Sequence, residues 1–488
     1  MQTGKKGINI MDKKLSYYTF YYFMSLVLMR GGGILAKILL ARSITPYEYG
    51  LITLFVIALP GMFQNITTFC FYDVLGHATE GKKYLGFALK YGILAAAGIT
   101  ILFYIFQAPI FTFLNISPDY RGILFIIFVV ALLSVTLSGV IIGYLRGARN
   151  HVLAAAVSTA PSILRLLFLV LALFMFGIED FSLIIILFTL PLVFVLIPVI
   201  MARFREIIFS LRMVSLPTRE MFLFGFSFFI LSIWSGLSQQ ITSVVISHDL
   251  GVVWQGYYDV SLSLAAVITF FSSSIYLISA PETTTKSGIS DILRRKGGLG
   301  DIGRFLFSLS LLFVVIIYFY AHPLTSLFFT ANYAHAADYL YILAIGYAVL
   351  FVQQFIGFLN ISSDRKGIFR LSLVTVASIL MFPVFSHFMI LYFGFPGAYL
   401  ASTLFILVYT MVTVLLIKDR TPLLVLLKKF DRLLLVILGT AAALYLVHFS
   451  LIPGIITAMA VFGTLAIASG YIDKDLIKDM LVINRKKT

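Results

Sequence analysis

Cysteine is almost absent: Cys70 stands alone among 488 residues, so no internal disulfide is possible and the redox compartment leaves no mark. Charge is scarce too, at 12% of the chain, and acids are scarcer than bases, with 21 Asp and Glu against 36 Lys and Arg. A soluble chain of this length needs far more polar surface. Walker motif, dinucleotide fingerprint and nucleophile elbow are all missing, so nothing points to ATP hydrolysis or hydrolase chemistry, and no cofactor is implied. His248, His322, His335 and His387 are scattered near the expected outer ends of spans without metal-ligand spacing. Asn115-Ile116-Ser117 is a formal glycosylation sequon, in a loop too short to matter.

What is present is apolar. Hydrophobic residues make up 60% of the chain and mean hydropathy is +1.02. A bilayer core of about 30 Å takes roughly 20 apolar residues per helix. Fourteen runs meet this, near 16–41, 51–75, 85–114, 122–143, 152–176, 182–202, 221–247, 257–280, 305–321, 339–360, 371–393, 399–417, 433–450 and 454–472. The basic start followed by an apolar run resembles a signal peptide. No small-residue cleavage site follows it, and Arg30 with Gly31, Gly32 and Gly33 leads into more apolar sequence, so it reads as an uncleaved first span. Interior prolines such as Pro60, Pro161, Pro198 and Pro383 are tolerable where neighbouring helices satisfy the freed backbone. The fold class expected is an all-α integral membrane protein of about 14 transmembrane helices.

The distribution of bases orients these spans. Of the 36 Lys and Arg, 31 fall in segments on the N-terminal side of the membrane and two, Arg42 and Arg121, in the opposite loops. Both termini are therefore expected in the cytoplasm of a cell whose plasma membrane holds the chain. The net charge of +15 is topology, with anionic lipid contact secondary, and a nucleic-acid partner is not expected.

The chain also repeats itself. Ala41–Gly50, after span one, and Ser247–Gly256, after span seven, are ten-residue outer segments ending in Gly before an apolar helix. Ile142–Arg149 after span four and Ile356–Arg365 after span ten both begin Ile-Gly-aromatic-Leu and end in Arg. An offset of six helices predicts two six-helix lobes related by a pseudo-two-fold plus a C-terminal helix pair, the parallel-repeat logic of alternating access. The boundaries are 1–202 for the N-lobe, 203–220 for a cytoplasmic linker with amphipathic character, 221–417 for the C-lobe, and 418–488 for spans thirteen and fourteen with a tail.

A charge in the membrane centre costs about 2.5–3.5 kcal/mol, so intramembrane ionisable residues are the first functional candidates. Three bases lie inside spans: Arg30, Lys37 and Arg165. Seven residues separate Arg30 from Lys37, which puts both on one helix face about 10 Å apart. Arg165 enters from the same side, to a depth expected to match that of Arg30. No acid lies at mid-span; Asp73 sits at the inner end of span two and Asp259 at the outer end of span eight. Cations without acid partners suit a phosphate or carboxylate in a wet cavity. The plainer alternative is that Lys37 snorkels and the arginines bond helix carbonyls. Gln64, Asn65, Gln239, Gln240, Gln353 and Gln354 are candidates to line the cavity, or to hydrogen-bond between helices. Arg42 reads as an interface anchor.

The loop Ala41-Arg-Ser-Ile-Thr-Pro-Tyr-Glu-Tyr-Gly50 resembles the hallmark after the first helix of the polysaccharide biosynthesis flippases, within the multidrug/oligosaccharidyl-lipid/polysaccharide (MOP) exporter superfamily. Phe393–Ala398 and Asn332–Leu340 are similar to that family's C-lobe turns. The resemblance implies a polyprenyl-(pyro)phosphate-linked oligosaccharide as substrate, its phosphates meeting Arg30 in a cationic cavity. Lys37 falls one residue from a second cationic position of that family. It further implies membrane lipids and the pathway's glycosyltransferases or polymerase as partners. The alternative within the superfamily is a cation-coupled drug antiporter, which needs an intramembrane acid. An enzyme acting on polyprenol-linked sugars would need a substantial outer loop, and the longest expected here runs about seventeen residues, from His322 to Asp338.

Overall fold

The computed structural model describes residues 27–68, 84–148, 150–212, 237–270, 299–360, 365–417, 419–447 and 449–472. Among these residues all regular structure is helical. Ten helices are long and apolar enough to cross a membrane: Pro46–Thr68, Leu85–Ile105, Pro118–Gly147, Val152–Met175, Phe181–Ala202, Gly300–Phe328, Arg370–Phe393, Phe395–Leu416, Phe430–Val447 and Leu451–Ala468. These are spans two to six, nine and eleven to fourteen. The other four expected spans each overlap a described helix, in 27–43, 237–249, Val252–Ala265 and Leu340–Asn360, with parts of the first three lying outside the described residues. The chain is an all-α, multi-pass membrane protein. Asp73 and the linker residues 213–220 lie outside the described residues.

Local chemistry starts and bends these helices. Thr45 forms a capping box with Glu48 ahead of Pro46, so the loop motif 41–50 is the start signal of span two. Asn150 caps span five through Leu153 N at 3.3 Å, and Asp180 caps span six through Leu183 N at 2.9 Å. Ahead of Pro60, span two loosens into a π-helical stretch, Thr53–Ala58, in which Leu59 N donates to Leu54 O. Gly251 and Gly394, at φ +97° and +66°, make the tight joints between spans seven and eight and between eleven and twelve.

Two boundaries differ from expectation. Span nine runs from Leu299 to Phe328 through Pro323, bending at Tyr320 (φ −121°, ψ 20°). Proline removes one backbone donor three residues beyond the bend, yet the helix resumes, so the outer loop is shorter than the seventeen residues read from hydropathy. Span three breaks at Phe106 and continues as the short helix Gln107–Phe113. Span six is followed by the helix Phe204–Arg212, against which Gly86 packs so closely that a Cβ there would strike the backbone of Ser210.

The chain divides into two compact units, Met1–Asp259 with Ser372–Ala398, and Val260–Leu371 with Tyr399–Thr488. In the first, spans three to six close around Leu85, Leu89, Ile141, Tyr144, Val157 and Leu196. A separate aromatic group, Phe55, Phe103, Phe111 and Phe128, is buried, with Phe103 and Phe128 stacked at 4.5 Å. In the second unit the C-terminal pair packs on span nine: Leu433, Val436, Ala458 and Phe462 join Phe307, Leu312, Ile316 and Tyr320. With no hydrophobic drive between helices in lipid, close backbone approach is what holds such contacts.

Candidate functional site

The residues that converge in the first unit lie where spans one, two and eight meet. Gly50 opens span two and Gly256 opens span eight. A Cβ on Gly50 would collide with the carbonyl of Val252, and a Cβ on Gly256 would stand 2.6 Å from the carbonyl of Pro46. The two helices therefore cross backbone to backbone, which only glycine permits. The contacts are reciprocal. Residues 46 and 50 correspond to 252 and 256 by the same 206-residue offset that relates the loops 41–50 and 247–256. The offset also pairs Tyr49 with Gln255 and Thr53 with Asp259. Tyr49 bonds Asp259 and Thr53 bonds Gln255, each contact being the symmetry mate of the other. This is an isologous interface within one chain, made by its two repeats.

One interaction breaks the symmetry. Lys37 donates to both oxygens of Asp259, at 2.9 and 2.8 Å, and Tyr49 Oη donates to Oδ2 at 2.7 Å. The side chains are 17% and 6% exposed. The symmetry mates of Lys37 and Asp259 are Ser243 and Thr53, which carry no charge. Asp259 thus accepts from one cation and one phenol, at the end of the spans assigned to the outside. The expectation that the three intramembrane cations lack acid partners fails at Lys37. One turn before Asp259, the fully buried Gln255 accepts from Thr53 Oγ1 at 3.2 Å, and its Nε2 has no hydrogen-bond partner among the described residues.

The two arginines flank a different crossing. Gly32 and Gly33 of span one lie against Ser162 of span five, with ideal Cβ positions 3.6 and 3.7 Å from it. Arg30 stands just before these glycines and Arg165 three residues after Ser162, so both belong to the span one–span five contact. Their depths do not match as expected. Registered on that contact they differ by between five and six residues, about 8 Å along the helices. Arg165 donates Nε to Phe188 O at 3.0 Å, and its guanidinium carbon lies 4.5 Å from the centre of the Phe188 ring. Among the described residues no carboxylate lies within ion-pair distance of Arg165. Its charge therefore rests on a carbonyl and an aromatic face. Arg30 is half-buried and Arg42 is exposed.

The amides divide. Gln64 Nε2 donates to Val135 O at 3.2 Å, tying span two to span four. Gln240 packs on Gly61, its Nε2 3.2 Å from where a Cβ would stand. Both are interhelical contacts. Asn65, Gln239, Gln353 and Gln354 are half-buried. Tyr49, Thr53 and Gln255 were not singled out from sequence. The 206-residue offset makes Tyr49 and Gln255, inside the loops, and Thr53 and Asp259, just past them, equivalent pairs, which is the signal the sequence holds for them.

No protein-family model and no curated protein sequence matches the chain. Solved structures do match. "Lipid II flippase MurJ, inward closed conformation" aligns over 93% of this chain and 99% of its own, at 16% identity and TM-score 0.60. "Inward-facing conformation of a multidrug resistance MATE family transporter of the MOP superfamily" aligns over 79% and 93%, at 15% identity and TM-score 0.57. A MATE structure in the bent conformation covers 88% and 97%, at 14% identity and TM-score 0.53. The chain therefore has the fold that the lipid II flippase shares with the MATE transporters.

Proposed function

We propose that the chain is a flippase that carries a polyprenyl-(pyro)phosphate-linked oligosaccharide from the inner to the outer leaflet of the plasma membrane by alternating access, for cell-surface polysaccharide or glycoprotein glycan synthesis. The observation that carries this reading is Arg165, a cation inside a membrane span resting on neutral partners, at the crossing that also bears Arg30. A guanidinium so placed has donors left for phosphate oxygens. The likeness to the lipid II flippase supports it, as does the loop resemblance. Lobes 1–202 and 221–417, joined through 203–220 and followed by the pair in 418–488, would rock about the cavity with both termini in the cytoplasm. The glycine crossing of spans two and eight, with the Lys37–Asp259 pair, would be the outer closure. Lys37 would reach phosphate only on leaving Asp259.

The test uses a strain lacking the protein, with the leaflet of its lipid-linked oligosaccharides determined. Complete precursor should accumulate in the inner leaflet, with rescue by wild type and not by Arg30→Ala or Arg165→Ala at normal protein level. Precursor reaching the outer leaflet without the protein would remove the reading. A cation-coupled antiporter of the same fold is the second reading, favoured by the buried Asp259 carboxylate. Resistance to cationic drugs on overexpression, lost in Asp259→Asn, would support it.

A further inference from the structure

The four histidines that look scattered in sequence each lie beside a carboxylate. In the first unit Asp249, at the end of the span-seven helix, sits between two imidazoles. His387 of span eleven holds Nδ1 2.9 Å from both Asp249 oxygens. A carboxylate only accepts, so that nitrogen carries a proton. His248 holds Nδ1 2.8 Å from Phe113 O, again an acceptor, so its proton is on Nδ1 as well. Neutral His248 therefore turns the lone pair of Nε2 toward Asp249, 3.8 Å from Oδ1. Protonating Nε2 converts that contact from repulsion to an ion pair. The His248 ring also lies flat on Phe113, centroids 3.9 Å apart and planes 7° from parallel, where an imidazolium gains a cation–π attraction that the neutral ring lacks.

The cluster ties three elements. Phe113 and Asn115 end span three, with Asn115 Nδ2 donating to His248 O at 2.8 Å; Asp249 ends span seven; His387 belongs to span eleven. Phe113 and Asn115 carry no charge. Among the described residues no further acid or base is bonded to the three side chains. Asp249 is only 10% exposed, so solvent screens it weakly.

We propose that His248, Asp249 and His387 form a proton-operated clamp that holds spans three, seven and eleven together at the end assigned to the outside. Histidine is the side chain that changes charge between about pH 5 and 8. Each proton taken up by these imidazoles adds positive charge beside Asp249, so the clamp is tighter in the protonated state than in the neutral one. The idea rests on the transporter reading only in that this end must open for release. A comparison is built into the second unit, where Asp338 lies 3.4 Å from His322 and 3.3 Å from His335, with imidazoles 64% and 63% exposed. Pairs as open as these contribute little.

The test is hydrogen exchange of the full-length protein in nanodiscs from pH 5.5 to 8, corrected for intrinsic rates and read on peptides covering 107–117 and 244–251. Protection should fall about tenfold toward pH 8, the scale of one charge-assisted bond. His248→Gln and His387→Gln should each flatten the profile, and Asp249→Asn should remove it. His322→Gln with His335→Gln should leave it unchanged. Both imidazoles of the clamp are more than a third exposed, so the glutamine variants retain the fold. A pH-independent profile in wild type, or a wild-type profile in the His248→Gln/His387→Gln double variant, would overturn the clamp. Leaflet transport measured on the same preparations separates the two ideas. Its absence in wild type counts against the flippase alone, and its presence with flat exchange counts against the clamp alone.

Discussion

Replacing Lys37 by Met removes the cation from a carboxylate that is 6% exposed and leaves Asp259 with Tyr49 as hydrogen-bond donor. Breaking a buried ion pair from one side costs about 3–5 kcal/mol, because the remaining charge stays desolvated. Lys37 is 17% exposed, so water reaches the vacated position in part and the lower end, about 3 kcal/mol, is expected. Replacing both, as Lys37→Met with Asp259→Leu, removes the stranded charge and should cost under about 1.5 kcal/mol, since hydrophobic replacement of a buried pair is often neutral. With Asp259→Leu alone also destabilising, because it strands the Lys37 ammonium, the double-mutant cycle should show a coupling above about 1.5 kcal/mol. Tyr49→Phe, which removes one bond to a charged acceptor, should cost about 1.5–3 kcal/mol in wild type and much less in the double variant. The assay is reversible unfolding of the purified protein in one detergent at one lipid ratio, with all variants at matched concentration. If Lys37→Met alone is no less stable than the double variant, Asp259 is not held by Lys37 and the assignment of this pair as the outer closure goes with it.

Other substitutions probe the crossings and caps. Gly50→Val and Gly256→Val put a Cβ into opposing carbonyls, and each should lower stability by about 1–3 kcal/mol through forced separation of spans two and eight. Equal losses in the two are the signature of the reciprocal interface, and a loss confined to one would count against it. Gly454→Ala drives a methyl into the hydroxyl of Tyr320, which donates to Phe449 O at 3.3 Å. Its melting temperature should fall, and Tyr320→Phe in that background should recover little of the loss, because the ring carbon Cζ meets the same methyl, whereas Tyr320→Ala should relieve the clash. Thr45→Ala opens the capping box and should cost about 1 kcal/mol, measured by the same unfolding.

Much of the architecture is legible in the chain because lipid imposes one rule on every span, an apolar run of bilayer length. That rule locates fourteen helices but not their ends. It misses the continuation of span nine past Pro323, because a hydropathy window registers His322 and Pro323 as a break while the backbone only bends at Tyr320. Arg30 and Arg165 are readable as intramembrane cations since their rarity is itself the signal. The partner of Lys37 is not, because Asp259 lies 222 residues away and looks from sequence like an interfacial acid. The glycine crossing is half-readable. The echo between 41–50 and 247–256 marks equivalent positions, but that equivalent positions touch each other is a property of the two-fold axis. The amides Gln64 and Gln240 illustrate a third limit, since a polar residue facing a cavity and one facing a helix carbonyl follow the same pattern in the chain.

The asymmetry of the crossing has a mechanical consequence. Glycine contacts and the Tyr49–Asp259 and Thr53–Gln255 pair would by themselves hold two repeats together through close approach and hydrogen bonds, contacts for which an anion is a poor competitor. Lys37 is different, because its ammonium accepts any anion of suitable geometry. It lies seven residues beyond Arg30 on the same helix, about 10 Å nearer the end assigned to the outside. On the flippase reading, a phosphate that leaves Arg30 on its way outward meets Arg165 and Lys37 next, about 8 and 10 Å further along, and competes with Asp259 for Lys37. The exchange would release the charge-paired part of the closure only when substrate has arrived, which couples opening to occupancy without an added ion. A ligand shifts such an equilibrium only by its differential affinity for the two states, and the Lys37–phosphate contact supplies one. Asp259→Asn should then open the outer end without substrate, raising labelling of cysteines placed there, while Lys37→Met should abolish any response of that labelling to added polyprenyl pyrophosphate. Equal labelling in wild type and Asp259→Asn would show that the pair does not gate the closure.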